Sequence, residues 1–231
     1  MSHLRHYNSK DKVLVAVDCV IFGFDNTGLK ILLIKRAFEP QKGDWSLMGG
    51  FLSQEETLDQ AAKRVLNELT GLDNIYMEQV YSYSAVDRDP LDRTISVAFF
   101  ALINIKQYDF KLNKEHHAHW FGLSEAPTPI FDHQQMITEA LERLKREALS
   151  NPIGFELLPE KFTMRQLQDL YESIFNQKLD KRNFINKINA LDILIRLEEK
   201  DKSTSKKGAY LYRFDEKKYN LKKEDGFIFK L

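Results

Sequence analysis

The spacing of residues between Gly50 and Leu72 constrains this chain more than any bulk property does. Glu56 follows Gly50 by six residues, Arg64 follows Glu56 by eight, and Glu68, Gly71 and Leu72 complete the run. Within it Leu58, Ala61, Ala62, Val65, Leu66 and Leu69 recur at helical period, which predicts an amphipathic helix over residues 57–69. Positions 65, 68 and 69 stand at i, i+3 and i+4, so they share one side of that helix. Strands are expected around it. Residues 13–24 (VLVAVDCVIFGF) are rich in Val and Ile, DNTG at 25–28 is a hairpin turn signal, and KILLIKR at 30–36 returns. Residues 94–105 (TISVAFFALINI) read as a buried strand and 118–123 as a short one. Residues 131–149 read as a helix with Met136, Ile137, Ala140, Leu141 and Leu144 inward. Cys19 reads as a small core residue, and His116, His117 and His119 as loop residues without a carboxylate partner for a metal.

Composition narrows the class. With 43% hydrophobic and 29% charged residues the chain can bury a core, so a disordered or collagen-like chain is excluded. A single cysteine in 231 residues excludes a disulfide framework and fits a reducing, cytoplasmic setting. The longest apolar stretch is broken at Asp18, short of the roughly 20 residues a membrane helix needs. No secretory signal and no membrane partner are expected.

The texture changes after residue 150, where Asn151, Pro152 and Gly154 interrupt the helical pattern. Two domains are expected, 1–150 and 151–231. The first carries 17 Lys and Arg against 21 Asp and Glu, a net charge of −4, and the second 17 against 13, a net of +4. Thr163 followed by Gln166 is a capping-box signature. It opens a helix with Met164, Leu167, Leu170, Tyr171, Ile174 and Phe175 on one side. A short NQKLD connection leads to a second helix over 181–191, which Asp180 caps. Strands at 193–197 and 209–214 flank a polar loop carrying Lys200, Lys202, Lys206 and Lys207. Two helices and a hairpin with a basic tip outline a winged helix-turn-helix.

On the second helix Phe184, Ile185, Ile188 and Leu191 face inward, while Lys181, Arg182, Asn183, Asn186, Lys187 and Asn189 face out with no acidic residue among them. Arg and Lys neutralise phosphates or pair with guanine edges, and Asn pairs with adenine. The DNA-binding candidates are therefore Thr163, Arg165, Gln166, Lys181, Arg182, Asn183, Asn186, Lys187, Lys206 and Lys207. The lysines of the loop suit phosphate contact. RNA is the other polymer such a face could bind.

The run from Gly50 to Leu72 follows the spacing of the Nudix box, and GDWSLMGGFL resembles the segment that precedes the box in Nudix proteins. Nudix hydrolases hold Mg²⁺ on the carboxylates of an Arg-Glu-x-x-Glu-Glu run. Here those three positions read Val65, Glu68 and Leu69, so the resemblance implies the scaffold without the metal-binding set. Gly50, Glu56, Arg64 and Gly71 keep the family's residues, with Glu56 and Arg64 as its orienting pair. No catalytic residue, metal or cofactor is expected. FTMRQLQDLYESIFNQKLDKRNFINKI resembles the C-terminal signature of the Nudix-related transcriptional regulators of the NrtR and AraR type. DRDPLDRTISVAFFALI resembles their mid-domain segment, with Leu91-Asp92 where NrtR-type members carry Arg-Gly.

That resemblance implies an α+β chain, a Nudix α/β/α sandwich with a C-terminal winged helix-turn-helix. It also implies a homodimeric repressor that binds a palindromic operator and is released by a small effector. The effector-binding candidates are Arg36, Asp44, Trp45, Tyr83, Asp87, Arg88, Asp89 and Arg93. Trp45 is singled out as an exposed aromatic platform before the box. With fewer favourable groups for phosphate, a neutral pentose such as L-arabinose is the expected effector. An ADP-ribose sensor and an active pyrophosphohydrolase are the alternatives.

Overall fold

A computed structural model of the chain describes residues 12–25, 27–72, 74–107, 117–203 and 206–230; the side chain of Leu69 lies outside that description. Strand β1 (Leu14–Asp25) turns into β2 (Gly28–Lys35) at Asp25, whose Oδ1 accepts hydrogen bonds from Thr27 N at 2.7 Å and Gly28 N at 3.1 Å. Then follow β3 (Trp45–Ser46), β4 (Met48–Phe51), α1 (Leu58–Thr70), β5 (Tyr76–Tyr83), β6 (Thr94–Asn104), β7 (Ala118–Gly122) and α2 (His133–Ser150). The sheet runs β3-β2-β1-β6-β5, with β4 paired to β1 and β7 to β2. Central β1 runs parallel to β6, in register from Leu14 opposite Thr94 to Phe24 opposite Asn104.

Alternation along β1 sends Val17, Cys19 and Ile21 to the side covered by α1, and Val20, Phe22 and Phe24 to the side covered by α2. Both faces are buried, which explains the nearly unbroken apolar run of β1. The expected α/β/α sandwich is present. Cys19 is a fully buried core residue whose thiol is pushed up by burial and then by the charge of Asp18.

Beyond α2 come β8 (Phe162–Thr163), α3 (Met164–Phe175), α4 (Lys181–Leu191), β9 (Leu194–Asp201), β10 (Ala209–Phe214) and α5 (Glu216–Glu224). Strand β10 sits between β8 and β9. The anticipated caps are there. Gln166 N donates to Thr163 Oγ1 at 3.2 Å, and Asn183 N to Asp180 Oδ1 at 2.7 Å. Sequence reasoning missed α5, which is mostly polar; Tyr219 packs it on the core, and Lys218 and Lys222 stand 2.6 and 3.3 Å from Asp192. Among the described residues no helix is long and apolar enough to cross a membrane.

The junction differs from expectation. Pro152 and Gly154 interrupt the helical pattern as an open boundary would, yet Ile153, Gly154 and Leu157 of a short 3-10 turn, and Leu158 after it, are buried. A Cβ on Gly154 would lie 3.2 Å from the ring of Tyr171, itself fully buried. One apolar cluster runs from Phe22 and Ile31 of the sheet through Met136 and Leu144 of α2 to Leu167, Tyr171 and Ile188. The two halves share a core.

Candidate functional site

A cavity of about 270 Å³ opens where β1, β4, the 36–38 loop, the 88–89 loop and the start of α2 converge. Its deep wall is polar. Asp18 is the one charged residue inside β1 before its terminal Asp25, and its Oδ2 accepts a hydrogen bond from Ser96 Oγ. Arg88 is buried and donates through Nε and Nη2 to both carboxylate oxygens of Asp132, at 2.8 and 2.7 Å, while Nη2 stands 3.9 Å from Asp18. Burial opposes the charge on Arg88, but the hydrogen bonds and charges of Asp132 and the charge of Asp18 outweigh it and raise its pKa.

Asp132 holds the N-cap position of α2 without capping it, because its carboxylate is given to Arg88. His133, the first residue of α2, accepts at Nδ1 from Leu47 N at 3.2 Å, which leaves the proton of the neutral ring on Nε2, 3.8 Å from Asp18 Oδ1. Burial pulls the His133 pKa down despite the two neighbouring carboxylates. Gly49 is required here. A Cβ at that position would come within 2.2 Å of Asp18 Oδ1. The mouth is aromatic and basic: Phe38 and Phe51 are 59% and 52% exposed, and the Arg36 guanidinium lies 4.1 Å from the centre of Phe38 and 5.4 Å from that of Phe131.

Of the eight residues proposed from sequence, Arg36, Arg88 and Asp89 line this cavity. The other five stand outside its wall. Trp45 is a partly buried packing residue, not an exposed platform: Phe121 meets it edge-on at 4.9 Å, His119 at 5.4 Å, and Lys35 Nζ covers its ring at 4.2 Å. Tyr83 donates to Glu139 Oε2 at 2.7 Å and ties β5 to α2. Arg93 pins the 84–93 loop through the carbonyls of Ser84 and Ala85, Asp44 sits in the turn against Arg36, and Asp87 is exposed. Sequence reasoning missed Asp18, Ser46, Asp132 and His133. A charged residue amid an apolar strand was the available signal, since burying an aspartate is costly unless it is partnered.

The box behaves as scaffold. Arg64 donates through Nη2 and Nε to Glu56 at 2.8 and 3.1 Å and through Nη2 to Phe51 O at 3.1 Å, clamping the loop onto α1. Arg64, and then the Ser53 backbone N–H, hold the Glu56 carboxyl down to about 2. Gly71 ends α1 at φ 65, a left-handed position that favours glycine. Val65 does not share an open face with Glu68. It is buried in the apolar layer against Gly50, whereas Glu68 is exposed and pairs with Arg64 at 3.4 Å. The third position, Leu69, has its side chain outside the described residues. Among the described residues no group of three or more His, Cys, Asp or Glu is placed to hold a metal ion, and the retained carboxylates of Glu56 and Glu68 both face Arg64. The donor set does not fit the family's Mg²⁺. His119 lies in β7 and not in a loop, and His116 lies outside the described residues.

At the other end, Lys181, Arg182, Asn183, Asn186 and Lys187 are all exposed on α4, as are Lys206 and Lys207 at the tip of the β9–β10 hairpin. Arg165 is exposed with Asp169 at 3.6 Å. Thr163 and Gln166 are otherwise engaged. Thr163 is 5% exposed, and the two side chains cap α3 reciprocally.

An α/β/α sandwich whose box keeps Glu68 but has Val65 and Leu69 at the two other metal-ligand positions, fused to a winged helix with a basic outward helix, defines a Nudix-derived DNA-binding regulator. The NUDIX domain profile matches residues 12–142, and the NrtR DNA-binding winged helix domain profile matches residues 154–214. The ADPR responsive transcriptional repressor NtrR of Acinetobacter baylyi is 36% identical, covering 94% of this chain and 89% of its own. The crystal structure of Shewanella oneidensis NrtR complexed with a 27mer DNA superposes with a TM-score of 0.78 at 29% identity, covering 87% of this chain and 93% of that one. An ADP-ribose pyrophosphatase of Methanocaldococcus jannaschii is 37% identical over 59% of this chain and 78% of its own. The chain belongs to the NrtR-type family of Nudix-related transcriptional regulators.

Proposed function

We propose that this protein is a repressor that grips operator DNA with α4 and the β9–β10 hairpin and releases it when an ADP-ribose-type ligand enters the Nudix cavity. The observation that carries the reading is the cavity's place: its polar wall includes His133, the first residue of α2, the helix that packs against α3 of the winged helix. A ligand there can bias the DNA-binding half directly. The name of the Acinetobacter relative, an ADPR responsive repressor, favours this ligand over the pentose expected from the mid-domain segment. The basic, aromatic mouth at Arg36, Phe38 and Phe51 also suits a nucleoside diphosphate better than a bare sugar.

In this reading the division at residues 150 and 151 separates sensor from DNA-binding module. The working form is a cytoplasmic homodimer on a palindromic operator, since paired winged helices read half-sites one turn apart. The Nudix half senses and does not hydrolyse. Titration calorimetry with ADP-ribose and L-arabinose, beside a gel shift on the protein's own upstream DNA, tests it. ADP-ribose should bind and release the DNA; arabinose binding alone would restore the sugar reading. A second reading, pyrophosphohydrolase, draws on the Methanocaldococcus relative. Robust Mg²⁺-dependent turnover of ADP-ribose would favour it.

A further inference from the structure

The cavity is graded from end to end. At the mouth stand exposed Phe38 and Phe51 and the Arg36 guanidinium; at the deep end stand Asp18, Ser46, Arg88 and His133, all buried. Asp18 lines the deep end and Asp132 stands behind it on Arg88, so two carboxylates surround one guanidinium, and burial disfavours the charged form of the His133 ring. Arg88 is already given to Asp132 in a bidentate pair. A phosphate dianion at that end would meet a net negative wall with its one arginine committed, which costs affinity. Hydroxyl groups meet the opposite situation. Asp18 Oδ2 is taken by Ser96, but Oδ1 lies 3.8 Å from the His133 ring, beyond hydrogen-bond reach, and can accept from a ligand. Asp18 is thus a buried acceptor framed against Gly49, with nothing on the opposite strand wide enough to cover it.

We propose that Asp18 is the residue that determines which end of the effector goes inward and which effectors are accepted. It takes the hydroxyls of the terminal ribose of an ADP-ribose-type ligand, leaving the diphosphate at Arg36 and the adenine at the aromatic mouth, and it rejects a terminal sugar that carries phosphate. This rests on the ADP-ribose reading above. It adds a polarity: the sugar end touches Asp18 and His133, so it is the sugar that reaches the start of α2.

Calorimetry on the full chain and its Asp18→Asn variant, each titrated with ADP-ribose and with ADP, tests this. ADP ends where the terminal ribose begins. Asp18→Asn should weaken ADP-ribose by about tenfold or more, the worth of a charge-assisted hydrogen bond, and leave ADP within about threefold. Equal losses for both ligands would place the adenosine at the deep end and overturn the proposal, as would no loss for either. A ligand-side arm needs no variant and holds even if thermal melting shows that Asp18→Asn misfolds. Wild-type protein should bind ADP-ribose phosphorylated on its terminal ribose at least about tenfold more weakly than ADP-ribose, and equal or tighter binding overturns the assignment. If wild-type protein binds neither ADP nor ADP-ribose, the ADP-ribose reading itself fails and the assignment with it; selective failure of the Asp18 comparisons leaves that reading standing.

Discussion

Glu56 has its carboxyl drawn from an ordinary 4.5 down to about 2, first by the Arg64 hydrogen bonds and then by the Ser53 backbone N–H. A folded-state value below the unfolded one contributes stability above pH 4.5, and that contribution is lost as pH falls from 4.5 toward 2. Glu56→Gln should therefore melt below wild type at neutral pH, with the gap closing through that acid window; pH-resolved thermal melts read this, and a constant gap would mean the pair does not act through charge. His133 gives a second test with a different window. Its pKa is depressed by burial, so the unfolded chain protonates first and stability is lost as pH falls below the ordinary value of 6.5. His133→Gln, which keeps an acceptor for Leu47 N, should flatten that part of the profile. At this scale the sequence was legible where a residue's role is local. Glu56, Arg64 and Gly71 announce their spacing and their cap. Trp45 and Asp18 were misjudged or missed because their roles depend on which distant strand arrives beside them, β7 for Trp45 and β6 for Asp18.

Helices α3 and α4 divide the candidate DNA contacts by chemistry. On α4 the exposed Arg182 and Lys187 are free to meet base edges, and Arg182→Ala or Lys187→Ala should weaken operator binding by about 1–3 kcal/mol if the side chain does so. Changing Lys206 and Lys207 to Ala should weaken binding to every sequence and flatten its salt dependence. Gel shifts across a salt series separate the two classes, and wild-type behaviour from both sets would remove α4 and the hairpin from the interface. Thr163→Ala belongs to neither class. It removes the α3 cap and should cost about 1 kcal/mol of stability with sequence preference unchanged. Elements with a strong period or a cap, such as β1, α1, α3 and α4, could be read from the chain. Short β3, β4 and β8 could not, since two to four residues carry no period, and β5 alternates too weakly, with much of its length exposed. Helix α5 carries no apolar period to read; it is capped by Asp215, packs Tyr219 on the core and places two of its lysines at Asp192.

For the molecule as a whole, the proposed switch requires that effector and operator be linked reciprocally. A coupling of about 1–3 kcal/mol means that each ligand weakens the other by the same factor, and titrating effector into free and operator-bound protein measures both legs. Equal affinities in the two titrations would exclude the switch. The 18 residues of α2 span about 27 Å from the cavity wall to the junction. The junction is where sequence and structure part most. Pro152 and Gly154 look like a swivel when only neighbours in the chain are considered; Tyr171, 17 residues beyond Gly154, fills the space a swivel needs. The wedge also bears on how the protein comes apart. Because Phe22, Met136, Leu144 and Tyr171 belong to one apolar cluster, cutting the halves apart opens the α2-side core of both, while the α1-side layer of the first half stays closed. Heating should give one calorimetric transition, with calorimetric and van't Hoff enthalpies equal, and Tyr171→Ala should lower the melting point of both halves together. A winged helix grafted in place of this one would have to bring its own counterpart of Tyr171 to close the α2 side of the sheet.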